Sequence, residues 1–362
     1  MKAVRIFFVV INSLLVIALL LSGSAGWFSP SKFDWASVFS YGFLPLVVLN
    51  VVCSLLWLFF KRWEFLISLI AIMLRGGMIP LFIQLGGTDT VPQSEQRSQA
   101  DEFAVMTYNV HGFCGNGESQ ERLGENAQRF IDVVRHNEPD VICVQEFFDL
   151  ESFVASDSLK ALGYEYQYSA RCDKKGRRYG ASIFSRWRID FVQTFDAAGR
   201  KVFADISKDK FKVRVACVHM SSYSFGNVQS NVINDMKNKE IDADNAQRLI
   251  SKVRSNVSAH EKEWNEDLAP LIAETPYPLV VAGDFNDTPA SYLYYKISRK
   301  LKDSYVDEGK GFGVTYNGLF PHYRIDYIFH SESLKTLAYK RLASDFSDHN
   351  GVMAVYERAS DS

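Results

Sequence analysis

Cysteine is scarce in this chain. Five among 362 residues are too few for a disulfide-stapled scaffold, in which bridges stand in for a core. Neither sign of charge is in excess. Forty Lys and Arg against 42 Asp and Glu leave a net charge of -2, which excludes a generally basic protein that coats nucleic acid. There is no internal repeat, so a solenoid or propeller array is excluded. Low-complexity sequence is limited to one polar stretch, GTDTVPQSEQRSQA at residues 87–100. Long apolar runs are confined to the first 85 residues. The length suits one large domain plus an appendage.

The appendage is made of different material. Residues 6–21 are almost wholly apolar, and residues 41–60 (YGFLPLVVLNVVCSLLWLFF) carry no charge. Residues 65–85 are apolar apart from Arg75 and a few small or polar residues. A bilayer core takes about 20 such residues per helix. The second segment therefore reads as a span, the first as a slightly short one, and the third as one compromised by Arg75. That arginine faces the helix bundle, or the segment breaks at Arg75, Gly76 and Gly77. The first segment has a second reading, a cleaved signal peptide, because residues 1–5 are positive and SGSAG follows at residues 22–26. Lys2, Arg5, Lys61 and Arg62 flank the segments on one side, whereas residues 23–40 hold only Lys32. Basic loops stay in the cytoplasm, so everything after the third segment is expected outside it. Residues 1–86 thus read as a membrane anchor of two or three helices and residues 87–102 as a linker.

From residue 103 the period changes. Strands are expected at 103–110, 140–146, 164–170, 181–186, 189–195, 201–207, 211–220, 279–285, 327–330 and 352–356. Helices are expected at 121–137, 243–268 and 292–301, the middle one polar enough to suggest an exposed outer face. Paired strands with helices between some of them indicate two packed sheets flanked by helices, in one domain over residues 103–358. Cys143 and Cys217 fall inside strand-like runs and read as buried small apolar residues, while Cys53 lies in the second span. Cys114 and Cys172 lie in loops, where an external compartment would permit a bridge.

Five short stretches carry the chemistry: MTYNV (106–110), VQE (144–146), GDFN (283–286), RIDYIF (324–329) and SDH (347–349). Most end, follow or contain an apolar run, which puts Asn, Glu, Asp or His at a strand end where several strands can converge. Carboxylates, carboxamides and imidazoles gathered there suit a hard divalent cation and a phosphate ester. Taken singly, each also has a structural reading. Glu146 is a carboxylate at a strand end, expensive unless paired, solvated or metal-bound. Asn109 and GDFN are turn formers. Asp326 is an ion-pair partner for Arg324, His219 a structural histidine, and Tyr179 a ring packed at a strand start.

In this order and context the five motifs resemble those of the endonuclease/exonuclease/phosphatase superfamily, over residues 103–357. The resemblance implies an α/β fold, a four-layer α/β/β/α sandwich, preceded here by the N-terminal transmembrane helices. It implies that Glu146 is the principal Mg²⁺ ligand (with Mn²⁺ as an alternative ion), with Asn109 positioning the metal-bound phosphate and Asp348 near the metal as a ligand or outer group. Asp284 would orient or deprotonate the attacking water, and Asn286 would contact phosphate. His349 would contact or polarise the phosphate, with Asp326 orienting it. His219 would protonate the leaving oxygen, Tyr179 would bind phosphate, and Tyr316 would line the pocket. One position departs from the pattern. Abasic-site endonucleases carry an acid two residues after the first-strand asparagine, and here it is His111, which argues against a close copy of that branch.

The run RCDKKGRR before Tyr179 holds Lys174, Lys175, Arg177 and Arg178. By the family layout it borders the cleft and would attract a polyanionic substrate or an anionic membrane surface; alone it also reads as a solvated hairpin tip. The expectation is an Mg-dependent hydrolase of phosphate esters, a membrane-tethered phosphodiesterase acting outside the cytoplasm by in-line water attack. Its partners would be a lipid head group or nucleic acid and the bilayer itself, with no protein partner inferred. Two alternatives stand beside it: an extracytoplasmic endo- or exonuclease, and a catalytically silent binding module on a membrane anchor.

Overall fold

A computed structural model describes residues 2–88, 90–92, 97, 102–113, 122–149, 154–170, 180–222, 243–318, 322–343 and 345–359. Tertiary contacts divide the chain into two compact units that do not follow chain order. One is Met1–Phe82 with Ser222–Trp264 and Asp287–Lys296; the other is Ile83–Ser221 with Asn265–Asn286 and Ile297–Ser362.

Among the described residues, the second unit holds all the strands: β1 (Ile83–Gln84), β2 (Phe103–Asn109), β3 (Val141–Phe147), β4 (Tyr166–Ser169), β5 (Gly180–Ser185), β6 (Arg188–Thr194) and β7 (Lys201–Lys208). They continue with β8 (Phe211–His219), β9 (Leu279–Asp284), β10 (Lys302–Asp303), β11 (Gly311–Phe312), β12 (Asp326–His330), β13 (Leu334–Leu342) and β14 (Gly351–Arg358). Two six-stranded sheets form, in the orders β10-β12-β9-β8-β7-β6 and β13-β14-β2-β3-β5-β4, beside a β1-β11 ribbon. Phe103 and Val105 of β2 point into a core shared with Val213 and Val215 of β8 and Val280 and Ala282 of β9, so the sheets pack face to face. Ala104, Met106 and Tyr108, on the other face of β2, meet Phe130, Ile131 and Val134 of the helix Leu123–Asn137 and Leu159 of the helix Ala155–Ala161. On the opposite sheet the outward residues Val281, Tyr327 and Phe329 are also buried, so both outer faces are covered. A strand covered on both faces has no solvent side, which explains why β2 and β9 read as continuous apolar runs without alternation. The α/β fold with two sheets packed as a sandwich, expected from the resemblance, is the fold observed.

Most pairs are antiparallel, but β2–β3 and β8–β9 are parallel. Parallel neighbours finish at the same edge. Asn109 aligns with Gln145, and His219 aligns with Asp284. The antiparallel β12 begins where β9 ends, with Asp326 opposite Asp284. Gly283 permits this junction: a Cβ there would lie 1.9 Å from the Val218 carbonyl oxygen.

The first unit contains the apolar helices Lys2–Ser22, Phe43–Phe59 and Phe65–Arg75, the last continued by a 3₁₀ stretch Gly76–Leu81. The lengths correct the sequence expectation. The first segment, expected to be short, forms the longest of the three helices, with 21 residues. It is the one helix among the described residues long and apolar enough to cross a membrane. The 41–60 segment, expected to be a span, yields a helix of only 17 residues. The third helix does end at Arg75, whose guanidinium donates to Ser24 and lies 4.6 Å from the Trp27 ring centre. The polarity of the bundle is inside out. Asn12 accepts from Ser68 at 2.5 Å and Asn50 donates to the Leu15 carbonyl at 3.2 Å, while Ile6, Phe7, Leu14, Leu55, Leu56 and Leu74 are exposed.

The helix Ala243–Glu263 has the expected exposed face, along Asp244, Arg248, Ser251, Ser255, Ser258 and Lys262, but its other face is polar as well. Asn256, His260, Glu261 and Glu263 are buried. Glu261 accepts from the Ser29 hydroxyl and from the Ser31 backbone at 2.7 Å, and Arg254 donates to Asp34 at 2.7 Å. The polar residues of that face are therefore spent on partners within the first unit.

Candidate active site

The second unit brings together side chains from five strand ends and the loop before β14. Asn109, ending β2, is buried and donates through Nδ2 to Asp284 Oδ2 at 2.9 Å. The same Nδ2 lies 3.5 Å from Glu146 Oε1. Glu146 sits at φ 54, where the β3–β5 register slips between Val144 and Phe147. A bulge of this kind re-aims a side chain at a sheet edge. His219, ending β8, places Nε2 3.8 Å from Glu146 Oε1 and 3.7 Å from Asp284 Oδ2. Asp326 Oδ2 and His349 Nδ1 lie 2.9 Å apart, and His349 Nε2 is 3.8 Å from Asp284 Oδ2. The Tyr316 ring meets the His349 ring edge-on at 5.2 Å between centres.

The sequence left open a pairing of Asp326 with Arg324. Arg324 instead donates to both oxygens of Asp303, at 2.5 and 2.6 Å, which frees Asp326 for the histidine. Asn286 follows at φ 50, with its backbone N–H on Asp284 Oδ1 at 2.9 Å and its Nδ2 on the Met220 carbonyl at 3.1 Å. Its amide thus ties the loop to the end of β8. Tyr179, Lys174, Lys175, Arg177 and Arg178 lie outside the described residues, as do Cys114 and Cys172. Cys143 and Cys217 are buried free thiols, as expected.

Charge is unevenly distributed over this cluster. Burial, and then the charge of Asp326, push the Asp284 carboxyl up to about 6, against the opposing pull of His349, His219 and the Asn109 hydrogen bond. Burial by itself would lower His349, but the charges of Asp326 and Asp284 outweigh it and push the imidazole up to about 10. At neutral pH the cluster therefore presents a cationic His349 beside a buried, largely ionised Asp284 that retains appreciable basicity.

Three residues without an assigned role from the sequence hold the cluster. His111 Nδ1 stands 3.0 Å from Asp348 Oδ1. The Asp348 hydrogen bond raises His111, burial opposing it, and His111 in turn holds Asp348 below its usual range against burial. Ser347 donates to the Asn109 carbonyl at 2.7 Å and accepts from the His349 backbone at 3.1 Å, which links the first and last motifs. Thr315 Oγ1 accepts from the backbone N–H groups of Ile325 and Asp326, both at 3.0 Å, fixing the start of β12. The departure at position 111 and the serine of SDH were visible signals.

Two carboxylates retain an open face. The Glu146 and Asp348 side chains are 18% and 17% exposed, whereas Asp284 and Asp326 are 1% and 2%. The donor atoms of Asp284, Asp326 and His349 also lie within 4.8 Å of one another, a set able to hold a metal ion.

The sequence model of the Endonuclease/Exonuclease/phosphatase family matches residues 106–349. A model for a domain of unknown function matches residues 5–81. Among curated proteins, "Protein angel homolog 2" of Homo sapiens is 23% identical over 261 residues, covering 65% of this chain and 42% of that protein. The Bos taurus protein of the same name matches with the same identity and coverage. The chain thus spans less than half the length of these relatives. Among solved structures, the endonuclease/exonuclease/phosphatase from Beutenbergia cavernae has 18% identity and a TM-score of 0.49, covering 72% of both chains. The human Nocturnin catalytic domain with bound sulfate anion has 16% identity and a TM-score of 0.48, covering 72% of this chain and 95% of that one.

Proposed function

Because the chain belongs to the endonuclease/exonuclease/phosphatase family, whose members hydrolyse phosphate esters and generally use divalent metal ions, we propose that it is a membrane-tethered phosphodiesterase acting outside the cytoplasm. The observation that carries the chemistry is the convergence of Asn109, Glu146, His219, Asp284, Asp326 and His349. The reaction is in-line attack of water. Asp284 takes the proton of the attacking water as its oxygen bonds to phosphorus. The ester oxygen leaves on the opposite side and takes a proton from His219. His349, held as an imidazolium by Asp326, donates to a non-bridging oxygen where negative charge builds. Asn286 contacts the phosphate, Tyr179 and Tyr316 flank it, and Lys174, Lys175, Arg177 and Arg178 draw in an anionic substrate or surface.

Glu146, Asn109 and Asp348 would hold Mg²⁺ or Mn²⁺. The donor set fits: all three offer hard oxygen atoms, and the two carboxylates with open faces suit an ion that keeps waters in its shell. When bound, the ion neutralises phosphate charge and favours ionisation of water.

The tether rests on the inside-out bundle. Arg5 donates to Glu64 at 2.5 Å, which supports placing Lys2, Arg5, Lys61 and Arg62 at one end, with the Arg75–Ser24 contact at the other. With the basic end in the cytoplasm, the chain leaves the bundle outside. In this reading residues 1–86 anchor, residues 87–102 link, and residues 103–358 carry the catalytic segment, part of which folds with the anchor.

The test is an activity screen of the full chain in nanodiscs. Substrates are phospholipid and sphingolipid vesicles, single- and double-stranded DNA, RNA and inositol phosphates, with Mg²⁺ or with chelator. Turnover of a lipid head group that stops with chelator is the expected result. Turnover confined to nucleic acid would reassign the substrate, and no turnover of any would favour the silent binding module.

A further inference from the structure

Asp287 follows Asn286 directly, yet its side chain is fixed within the first unit. It is 1% exposed. Its Oδ1 accepts from the Tyr41 hydroxyl and from the Thr288 backbone, both at 3.0 Å, and its Oδ2 lies 3.1 Å from His260 Nδ1. Facing a carboxylate, that nitrogen carries the proton. His260 Nε2 then accepts from Asn256 Nδ2 at 3.3 Å, one helical turn earlier. The Thr288 hydroxyl donates to the Ser40 carbonyl at 3.4 Å. Val253 and Val257 of the same helix pack on Val38 and Tyr41.

A buried carboxylate costs several kcal/mol unless its oxygens are bonded. Here the donors come from chain segments more than 200 residues apart in sequence, Tyr41 and His260. A satisfied buried network of this kind holds backbone in one place. Asn286, in the left-handed region at φ 50, is bonded on one side to Asp284 and the Met220 carbonyl, and the chain that leaves it on the other side is held by Asp287.

We propose that Asp287 is a positioning residue. Its carboxylate, fixed by Tyr41 and His260, sets the backbone of the loop that carries Asn286, so the N-terminal segment is required for turnover as well as for tethering. This rests on the phosphoesterase reading of Asp284.

The test uses full-length protein in detergent micelles, comparing wild type with Tyr41→Phe and Asp287→Ala. Amide exchange over residues 285–290 is followed by mass spectrometry. Hydrolysis of bis(4-nitrophenyl) phosphate with Mg²⁺ is measured in parallel. Tyr41→Phe removes one hydroxyl and spares the ring, so it keeps the test open if Asp287→Ala fails to fold. Faster exchange in the loop is expected, with β9 amides unchanged. In the same variants kcat should fall about 10- to 100-fold while KM stays within about twofold, the signature of displaced catalytic groups. Unchanged loop exchange, or unchanged kcat in an active enzyme, overturns the proposal. Wild-type protein that leaves the probe intact, with loop exchange still raised in the variants, removes the phosphoesterase reading and supports the positioning of the loop.

Discussion

Asp284 and His349 lie 3.8 Å apart, and the proposed mechanism makes opposite demands on their protons. A base must be ionised and an electrophile protonated at the same pH. Burial and then the charge of Asp326 raise Asp284 to about 6, and against burial the charges of Asp326 and Asp284 raise His349 to about 10. Activity should therefore rise as pH climbs through about 6, stay level, and fall as pH climbs through about 10. Asp326→Asn removes a negative charge next to both, so both limbs of the kcat/KM profile should move to lower pH. An acid limb that stays put or moves upward would break this account. Asp284→Asn should cost on the order of 10²-fold or more in kcat, and Glu146→Gln should weaken metal binding with the fold intact, as read by calorimetric Mn²⁺ titration. Full activity of Glu146→Gln protein in chelator would falsify the assigned roles.

At the level of the element, strand direction decides what can meet. The parallel β2–β3 and β8–β9 pairs bring strand ends to one edge, and Gly283 lets β9 lie against β8 where any side chain would strike the Val218 carbonyl. The β7–β8 pair is secured farther along by Asp205, aligned with Arg214. Arg214 Nε donates to Asp205 at 2.7 Å, and the Tyr277 hydroxyl also donates to it. Burial would raise the Asp205 carboxyl, but these two hydrogen bonds outweigh it and hold the group below its ordinary range. A carboxyl lowered on folding adds stability above its unfolded pKa of about 3.9 and loses it as pH falls through the folded value. Asp205→Asn should therefore destabilise by about 1–3 kcal/mol at neutral pH. The difference from wild type should shrink below about pH 3. Urea unfolding at both pH values measures it, and a pH-independent difference would mean that the ion pair is not the source.

The whole molecule is two units woven from one chain. Residues 222–264 and 287–296 join the N-terminal helices, and the intervening strand β9 belongs to the sandwich. Removing residues 1–86 would strip Tyr41 from Asp287, Asp34 from Arg254, and Ser29 and Ser31 from Glu261. The topology is tested separately. A reporter active only outside the cytoplasm, fused after Ser362, should be active. Replacing Lys2, Arg5, Lys61 and Arg62 with neutral residues should reduce that signal, because basic loops set the orientation. A signal confined to a cytoplasmic reporter would reverse the assignment.

The sequence by itself determined ten of the described strands, the buried character of the central ones and the polar residues at their ends, but not β13 or the two-residue strands β1, β10 and β11. These are local properties: an apolar run and the residue that stops it are read within a few positions. It also marked an apolar N-terminal segment, though helix ends depended on Arg75 and on turns that hydropathy does not see. Only the tertiary structure decided that Asp326 pairs with His349 while Arg324 turns to Asp303, that His111 meets Asp348, and that one face of the polar helix Ala243–Glu263 packs on residues 29–41. Those choices compare partners far apart in the chain, and each is settled by which arrangement leaves the fewest buried charges unbonded, a quantity that exists only once the chain is folded.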